Sequence, residues 1–344
     1  MIGGVANDNG PNGTVLIVVP VLNEVRAIDR VLRELAAGLP DHLPVDIVVA
    51  DGGSSDGTQA RVAAIAARDP RVRLMPNPRR LQGAAVNLVA RSRADAQWLV
   101  RADAHTAYPP GYVADLVATL QRTGADAVVV PMDSRGQTCM ARAIAWVSDT
   151  PLGSGGSAHR GGRHAGWIDH GHHAAWRMAS YLAAGGYDES FTHNEDAELD
   201  CRLARWGGRI WMEPAIRLTY FVRPTLPALW RQYRNYGRGR SRTVRRHPSS
   251  LRVRQVLVPT GVAAIVLATL GAPFRPELWL VPASYVVVLS ATSILLALRH
   301  RSRCALGSGL AALVMHFGWA TGFVTGLLAA REPRPAALGG ETTA

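Results

Sequence analysis

Val256 to Ala272 and Leu278 to Leu298 carry no charged residue, and Ala305 to Ala330 holds only His316 as an ionisable group. Uncharged runs of about 17 to 25 residues are long enough to span a hydrocarbon core. The sequence therefore predicts a C-terminal membrane domain, residues 251–344, with about three transmembrane helices at 256–272, 278–298 and 305–330. For the first run, which contains Pro259 and Gly261, a buried core helix is the alternative. Arg299, His300, Arg301 and Arg303 separate the second and third runs, and an arginine-rich block precedes the first. The positive-inside rule puts both basic segments in the cytoplasm, so three spans send the tail after Arg331 to the far side. Gly318, Gly322 and Gly326 form two overlapping GxxxG patterns, read here as close packing within the chain rather than as a dimer contact.

The first half of the chain is different material. Short β-branched runs recur at 14–20, 45–51, 71–76, 97–103 and 126–132, each of strand length. Between them lie helical patterns, such as the segment from Glu24 with Val25, Ile28, Val31, Leu32 and Leu35 on one face. Alternating strands and helices predict an α/β domain with a doubly wound, mostly parallel sheet. Ligands of such sheets bind beyond the carboxyl ends of the strands. Three of those ends carry polar turns: "PVLNE" (20–24), "DGGSSDGT" (51–58) and "RADAH" (101–105).

The formal net charge is +12, and it is concentrated. No Asp or Glu occurs between Pro214 and Pro276, while Arg recurs at 231, 234, 238, 240, 242, 245, 246, 252 and 254. Such a block implies a local anion. Residues 226–254 read as an interfacial segment beside a membrane, with aromatic residues at the headgroups and arginines on anionic groups. No RNA-recognition motif accompanies the block, so nucleic acid is not the expected partner. The opening "MIGGVANDNGPNG" lacks the basic and apolar regions of a signal peptide, and nothing in it is expected to send the next segment across a membrane. Cys139, Cys201 and Cys304 are far apart with no CxxC pair, so no disulfide framework is expected and a reducing compartment suits the soluble part.

Several clusters carry candidate chemistry. Asp103 and His105, two apart after an apolar strand, can face one side of an extended segment and suit a divalent ion that also binds phosphates. The competing reading is a turn capped by Asp103. His159, His164, His170, His172 and His173 lie in a glycine-rich run whose spacing matches no zinc motif, and Asp169 and His172 are candidate acceptor contacts. "HNEDAELD" (193–200) places four carboxylates within Glu195–Asp200. Thr192 with Glu195 fits a capping box and the helix dipole favours acids in a first turn, yet Asp196 and Asp200 at i, i+4 repel each other.

Taken together, "VVPVLNE", "VADGGSSDGT", "NPRRLQGAAVNLV", "VRADAH", "AAGGYDESFTHNEDAELDCRLARWGGRIW" and "RQYRNYGRGR" resemble family-2 inverting glycosyltransferases over residues 14–245. They look most like the membrane-bound glucosyltransferases of succinoglycan-type exopolysaccharide assembly. The resemblance implies a GT-A-like domain over residues 1–250, facing the cytoplasm from a multi-pass anchor in the inner membrane. It implies transfer of a hexose from a nucleotide sugar, UDP-glucose in the first instance, to a polyprenyl-linked glycan, with Mg2+ or Mn2+ as cofactor. Other polysaccharide-assembly proteins are implied partners. Residue by residue, Pro20, Glu24, Asp51 and Asp103 correspond to donor-nucleotide positions, and Asp103 with His105 to the Asp-x-Asp metal signature. Gly185, Gly186, Tyr187 and Glu195 correspond to the acceptor side, Asp196 to the catalytic base. Gln232 and Arg234 correspond to the diphosphate-binding Gln-x-x-Arg-Trp signature, with the aromatic at Tyr236. The alternatives are a polyprenyl-phosphate glycosyltransferase and a catalytically silent membrane scaffold.

Overall fold

The computed structural model describes residues 13–329, apart from 158, 159, 161 and 163. The opening segment read for a signal peptide, His159, Ala330 of the third apolar run and the tail beyond it lie outside the described residues. In chain order the elements are β1 (Val15–Val21), α1 (Ile28–Ala36), β2 (Val45–Asp51), α2 (Thr58–Ala66), β3 (Val72–Pro76), α3 (Gln82–Ser92), β4 (Trp98–Arg101), β5 (Thr106–Ala107), α4 (Tyr112–Thr123), β6 (Ala127–Val129) and β7 (Met132–Arg135). There follow α5 (Cys139–Ser148), α6 (Pro151–Ser154), β8 (Gly166–Ile168), β9 (His173–Arg177), α7 (Met178–Ala183), α8 (Glu195–Arg205), β10 (Ile210–Met212) and β11 (Leu218–Phe221). The chain then turns wholly helical, with α9 (Leu226–Arg246), α10 (Val253–Gly271), α11 (Leu280–His300) and α12 (Ser308–Leu328).

Two compact units interleave along this order. The first comprises residues 1–131, 163–189 and 202–218, the second residues 132–162, 190–201 and 219–344.

The first unit is built on an eight-stranded sheet of order β3-β2-β1-β4-β9-β6-β10-β8. β1 lies parallel to β2 and β4, β2 to β3, and β6 to β10. β9 runs antiparallel between β4 and β6, and β8 antiparallel on β10, so the sheet is mostly parallel as expected, with two reversed strands. Residues Val15 to Val19 of β1 are fully buried, which is how a central strand covered on both faces reads. α1 buries Ile28, Val31, Leu32 and Leu35, the apolar stripe that its spacing foretold. The expected strand at 126–132 is split. Pro131, which has no N–H to give a ladder, separates β6 from β7, and the two strands belong to different units.

The second unit gathers α5, α6 and α9 to α12. Ile144 and Val147 of α5, Leu229 of α9, Leu289 and Leu296 of α11, and Ala311, Ala312 and Met315 of α12 share one core. Cys139, the first residue of α5, is disulfide-bonded to Cys304 in the turn before α12, 165 positions away. That corrects the expectation of no disulfide: the fold brings the two Cα atoms to 5.0 Å, which no sequence spacing announces. Three helical segments, Val253–Gly271, Pro276–His300 and Arg303–Leu328, are long and apolar enough to cross a membrane. The GxxxG glycines of α12 face α9 within the same unit. A Cβ on Gly318 would stand 3.2 Å from the carbonyl oxygen of Trp230, and one on Gly322 would collide with that of Arg234.

Candidate active site

In the first unit the register sets Val21 of β1 beside Asp51 of β2, and Val18 beside Arg101 of β4, so the three polar turns leave the sheet at one edge. Pro20 is the last but one residue of β1, opposite Ala50. Beyond it the two turns are sewn together. Asn23 N donates to Ser54 Oγ (2.8 Å), Ser55 N to Asn23 Oδ1 (2.8 Å), Glu24 N to Thr58 Oγ1 (2.9 Å) and Val25 N to Asp56 Oδ2 (3.0 Å). Asn23 itself has φ 60°, a left-handed conformation that Asn tolerates better than most residues.

Asp51 is buried, with 4% of its surface exposed. Its Oδ1 accepts from Gly53 N (2.8 Å), Ser54 N (2.9 Å) and Gln59 Nε2 (2.6 Å). Burial by itself raises the carboxyl pKa, but the bonds from Ser54, Gln59 and Gly53 outweigh it and hold the group below the usual carboxylate range. The other oxygen, Oδ2, is buried with no partner among the described residues. A charged acceptor is thus fixed in place with one oxygen unspent.

Asp103 follows β4. Its Oδ1 accepts from Gln82 Nε2 and from Arg101 Nε (3.3 Å), and His172 Nε2 lies 3.6 Å from Oδ2. Burial raises its pKa, yet Arg101, with His172 and His105, holds it well below the usual range. His105 behaves differently. The extended segment expected to aim Asp103 and His105 the same way stops at Arg101, and Thr106 N bonds back to Asp103 O (3.2 Å) in a turn. His105 is exposed on that turn, its Nδ1 4.0 Å from Glu24 Oε1. The imidazole nearest the Asp103 carboxylate is therefore His172, from the histidine run, which sequence reading placed on the acceptor side.

Gly185 and Gly186 take φ of 83° and 67°, the region that favours glycine. A Cβ on Gly186 would strike Asn87 Oδ1. Asn87, on α3, accepts at that oxygen from Tyr187 N (2.8 Å) and Tyr181 Oη (2.7 Å), and its Nδ2 donates to Tyr187 O (2.8 Å). Tyr187 is 2% exposed, and its hydroxyl accepts from Arg101 (2.8 Å). The side chain of Tyr187 supports the arginine that holds Asp103; of the two glycines, Gly185 is exposed and Gly186 is buried against Asn87 and Tyr181. Asn87, Gln82 and Arg101 were legible only as members of "NPRRLQGAAVNLV" and "VRADAH", with no individual role.

In the second unit α8 begins at Glu195, three residues after Thr192, so Glu195 opens the helix and the Thr192 capping box does not form. Asn194 instead precedes the helix at φ 65°, its Nδ2 donating to Thr243 Oγ1 of α9 (2.8 Å). Burial then sorts the acids. Glu195 and Asp196 are half-buried, whereas Glu198 and Asp200 are 2% and 1% exposed. Glu198 Oε1 meets His247 Nε2 at 3.1 Å, just past α9. On α9, Gln232 spends its amide on the hydroxyls of Tyr220 (2.8 Å) and Tyr236 (2.9 Å), while the Arg234 side chain is exposed. The Arg160 guanidinium lies 4.6 Å over the Tyr220 ring.

Among the described residues no group of three His, Cys, Asp or Glu forms a metal cluster; His159 and the side chain of His173 lie outside them. Comparison with known proteins decides the family. Residues 16–178 match the model of glycosyl transferase family 2. Over 327 residues the sequence is 41% identical to the succinoglycan biosynthesis protein ExoA of Rhizobium meliloti (strain 1021), covering 94% of this chain and 98% of that protein.

The chain belongs to glycosyltransferase family 2.

It is accordingly a glycosyltransferase, with a GT-A-like fold. Among solved structures it is similar to the mannosyltransferase PcManGT from Pyrobaculum calidifontis, at a TM-score of 0.53 and 20% identity, over 88% of this chain and 86% of that one. That likeness bears on the fold alone. The family model ends at Met178, whereas the ExoA match runs on through the acidic helix and the arginine block.

Proposed function

We propose that this family-2 enzyme is an inverting hexosyltransferase that uses a nucleotide sugar, UDP-glucose being our choice of donor, and a glycan carried on a polyprenyl diphosphate. Its setting is exopolysaccharide assembly at the cytoplasmic face of the inner membrane. The name of the ExoA relative, a succinoglycan biosynthesis protein, supports the exopolysaccharide part of that reading. The observation that carries the donor reading is the unspent Oδ2 of Asp51: a buried carboxylate oxygen at a strand end costs free energy unless a donor meets it, and a nucleobase N–H or ribose hydroxyl is such a donor. Pro20 and Glu24 flank the same edge.

PcManGT was solved with GDP-Man and Mn2+, and a donor sugar with Mg2+ or Mn2+ is the ligand pair we propose here. The residues fit a cation only in part-ownership. Asp103 keeps Oδ2 clear of Gln82 and Arg101, and His172 is near it, with His105 the second candidate. Donor phosphates would complete the coordination, as they commonly do for Mg2+. When bound, the cation would offset the charge that builds on the departing diphosphate. Arg234 and Gln232 are our candidates for binding the diphosphate, Arg234 by its positive charge.

The transfer is one displacement: the bond from the anomeric carbon to the phosphate oxygen breaks as the acceptor oxygen bonds to that carbon from the opposite face. The acceptor's proton passes to the Asp196 carboxylate. Glu195 and the backbone of Gly185 and Gly186 are proposed to hold the acceptor. As a functional division we propose residues 1–250 for catalysis, with 226–254 at the interface, and 251–344 for attachment. The test is transfer from labelled nucleotide sugars to a lipid-linked acceptor, alongside thermal shifts of each donor with and without Mn2+. Stabilisation by no nucleotide sugar would remove the reading. Transfer to polyprenyl phosphate alone would select the second acceptor. Asp51, Asp103 and Asp196 together speak against a silent scaffold.

A further inference from the structure

The three apolar helical segments are not equivalent. Only 6% of the apolar stretch at Val253–Gly271 and 17% of that at Pro276–His300 is buried, against 44% at Arg303–Leu328. α10 and α11 show large apolar side chains on their surfaces, including Leu257, Leu267, Leu270, Val287, Leu295 and Leu298, each more than 60% exposed. α12 is instead partly buried in its own unit: its first half shares the apolar core with α5, α9 and α11, and its second half lies against the arginine-bearing α9.

Along its second half α12 runs side by side with α9 in the same direction. Gly318 faces Trp230, Gly322 faces Arg234, and Gly326 faces Arg238 and Ser241. α9 carries arginines at 231, 234, 238, 240, 242, 245 and 246. Arginine is among the costliest side chains to place at the bilayer centre. α9 therefore stays out of hydrocarbon, and it keeps the neighbouring half of α12 out with it. The half that remains, residues 308–317, is about 15 Å long at 1.5 Å per residue, half of what a crossing needs. That half is also tied to polar partners: Ser308 Oγ donates to Ala143 O of α5 (3.1 Å), and His316 bonds Leu152 O of α6 (2.8 Å).

The other end of α12 gives an independent constraint. Arg245 donates to the carbonyl of Gly326 (3.0 Å), in the last turn of α12. From Arg246 to the start of α10 at Val253 there are six intervening residues, three of them in a 3-10 turn. Such a link reaches about 20 Å at most. The end of α12 thus lies near the level at which α10 begins, whereas crossing would separate them by about 30 Å.

We infer that α10 and α11 form the hairpin that crosses the bilayer, and that α12 begins and ends on the side where α10 starts, as a helix packed between α5, α6, α9 and α11. The chain makes two crossings, and α12 ends at Leu328 on the side where α10 starts. This replaces the three-span expectation with its far-side tail.

The inference concerns topology and is tested apart from activity. The full-length protein, carrying one epitope at each end, is digested with protease in right-side-out and inside-out membrane vesicles. Both epitopes should be lost in the same vesicle type and protected in the other. A Phe274→Cys variant, in the turn after α10 where Phe274 is 85% exposed, should react severalfold more than the parent chain with an impermeant maleimide, from the opposite side. Loss of the two epitopes in opposite vesicle types would overturn the inference in favour of three spans. Labelling of Phe274→Cys from the epitopes' own side would overturn it in favour of no crossing. Should both epitopes be lost in right-side-out vesicles, the two-crossing topology stands while the cytoplasmic placement under Proposed function fails.

Discussion

The acids at the strand ends and the acids of α8 are handled in opposite ways. Asp51 and Asp103 are single carboxylates, each met by short donors from neighbouring turns: Gly53, Ser54 and Gln59 for one, Gln82 and Arg101 for the other. Asp51 then keeps Oδ2 without a partner among the described residues, while Oδ2 of Asp103 faces His172. α8 starts with four acids in one run and separates them by depth. From Ala197 to Asp200 every residue is buried, so Glu198 needs His247, while Glu195 and Asp196 stay half-exposed in the first turn. Identity alone does not assign a carboxylate its work. Depth along the helix, or the donors folded onto a strand end, does.

The largest effect expected from this contrast is at Asp196. Asp196→Asn keeps the shape and removes the proton acceptor, so transfer should fall by about 10² to 10⁴ while donor binding is nearly unchanged. Asp200→Asn, at a position 1% exposed, should lose thermal stability but keep most of its transfer rate. Similar small losses in both, measured with donor and lipid-linked acceptor, would erase the contrast within α8.

Next comes the buried pair. Glu198→Ala leaves His247 Nε2 without its partner in a buried site, and a loss of about 1 to 3 kcal/mol in unfolding free energy is expected, the usual cost of a buried polar group left unsatisfied. Glu198→Gln, which can still bond the imidazole, should lose distinctly less. Equal losses in a denaturant titration would show that charge, not the hydrogen bond, is what matters there.

At the strand ends the expected effects are on ligands. Asp103→Ala should weaken nucleotide-sugar binding by about tenfold or more and abolish its response to Mn2+, whereas chelation of the unmodified protein should reproduce the same weakening. Affinity indifferent to EDTA would set Asp103 beside Glu198 as a structural acid. Asp51→Ala should weaken even free uridine, by roughly the 1.5 to 3 kcal/mol of a charged hydrogen bond.

The smallest effect concerns acid. Because the pKa of Asp51 is depressed in the folded state, its contribution to stability is complete above about pH 3.9, the ordinary value, and is lost as pH falls towards the folded pKa. Asp51→Asn should therefore show a shallower fall of stability below pH 4 than the parent. A steeper fall would place the sensitive carboxylate elsewhere.

Much of this molecule was determined locally. The β-branched runs became strands, the stripe at Ile28, Val31, Leu32 and Leu35 became the buried face of α1, and the uncharged runs became α10, α11 and α12. Those features follow from periodicity and composition, which act within a few residues. The reversed β9, the bond between Cys139 and Cys304, the approach of His172 to Asp103 and the grouping of α5 with the C-terminal helices came only from the tertiary structure. So did the start of α8, where Thr192 offered a cap and Asn194, held by Thr243 of α9, took the position before the helix. Each of these depends on which distant segment arrives as a neighbour. Burial and pairing are settled by that arrival, and a window of sequence contains no record of it.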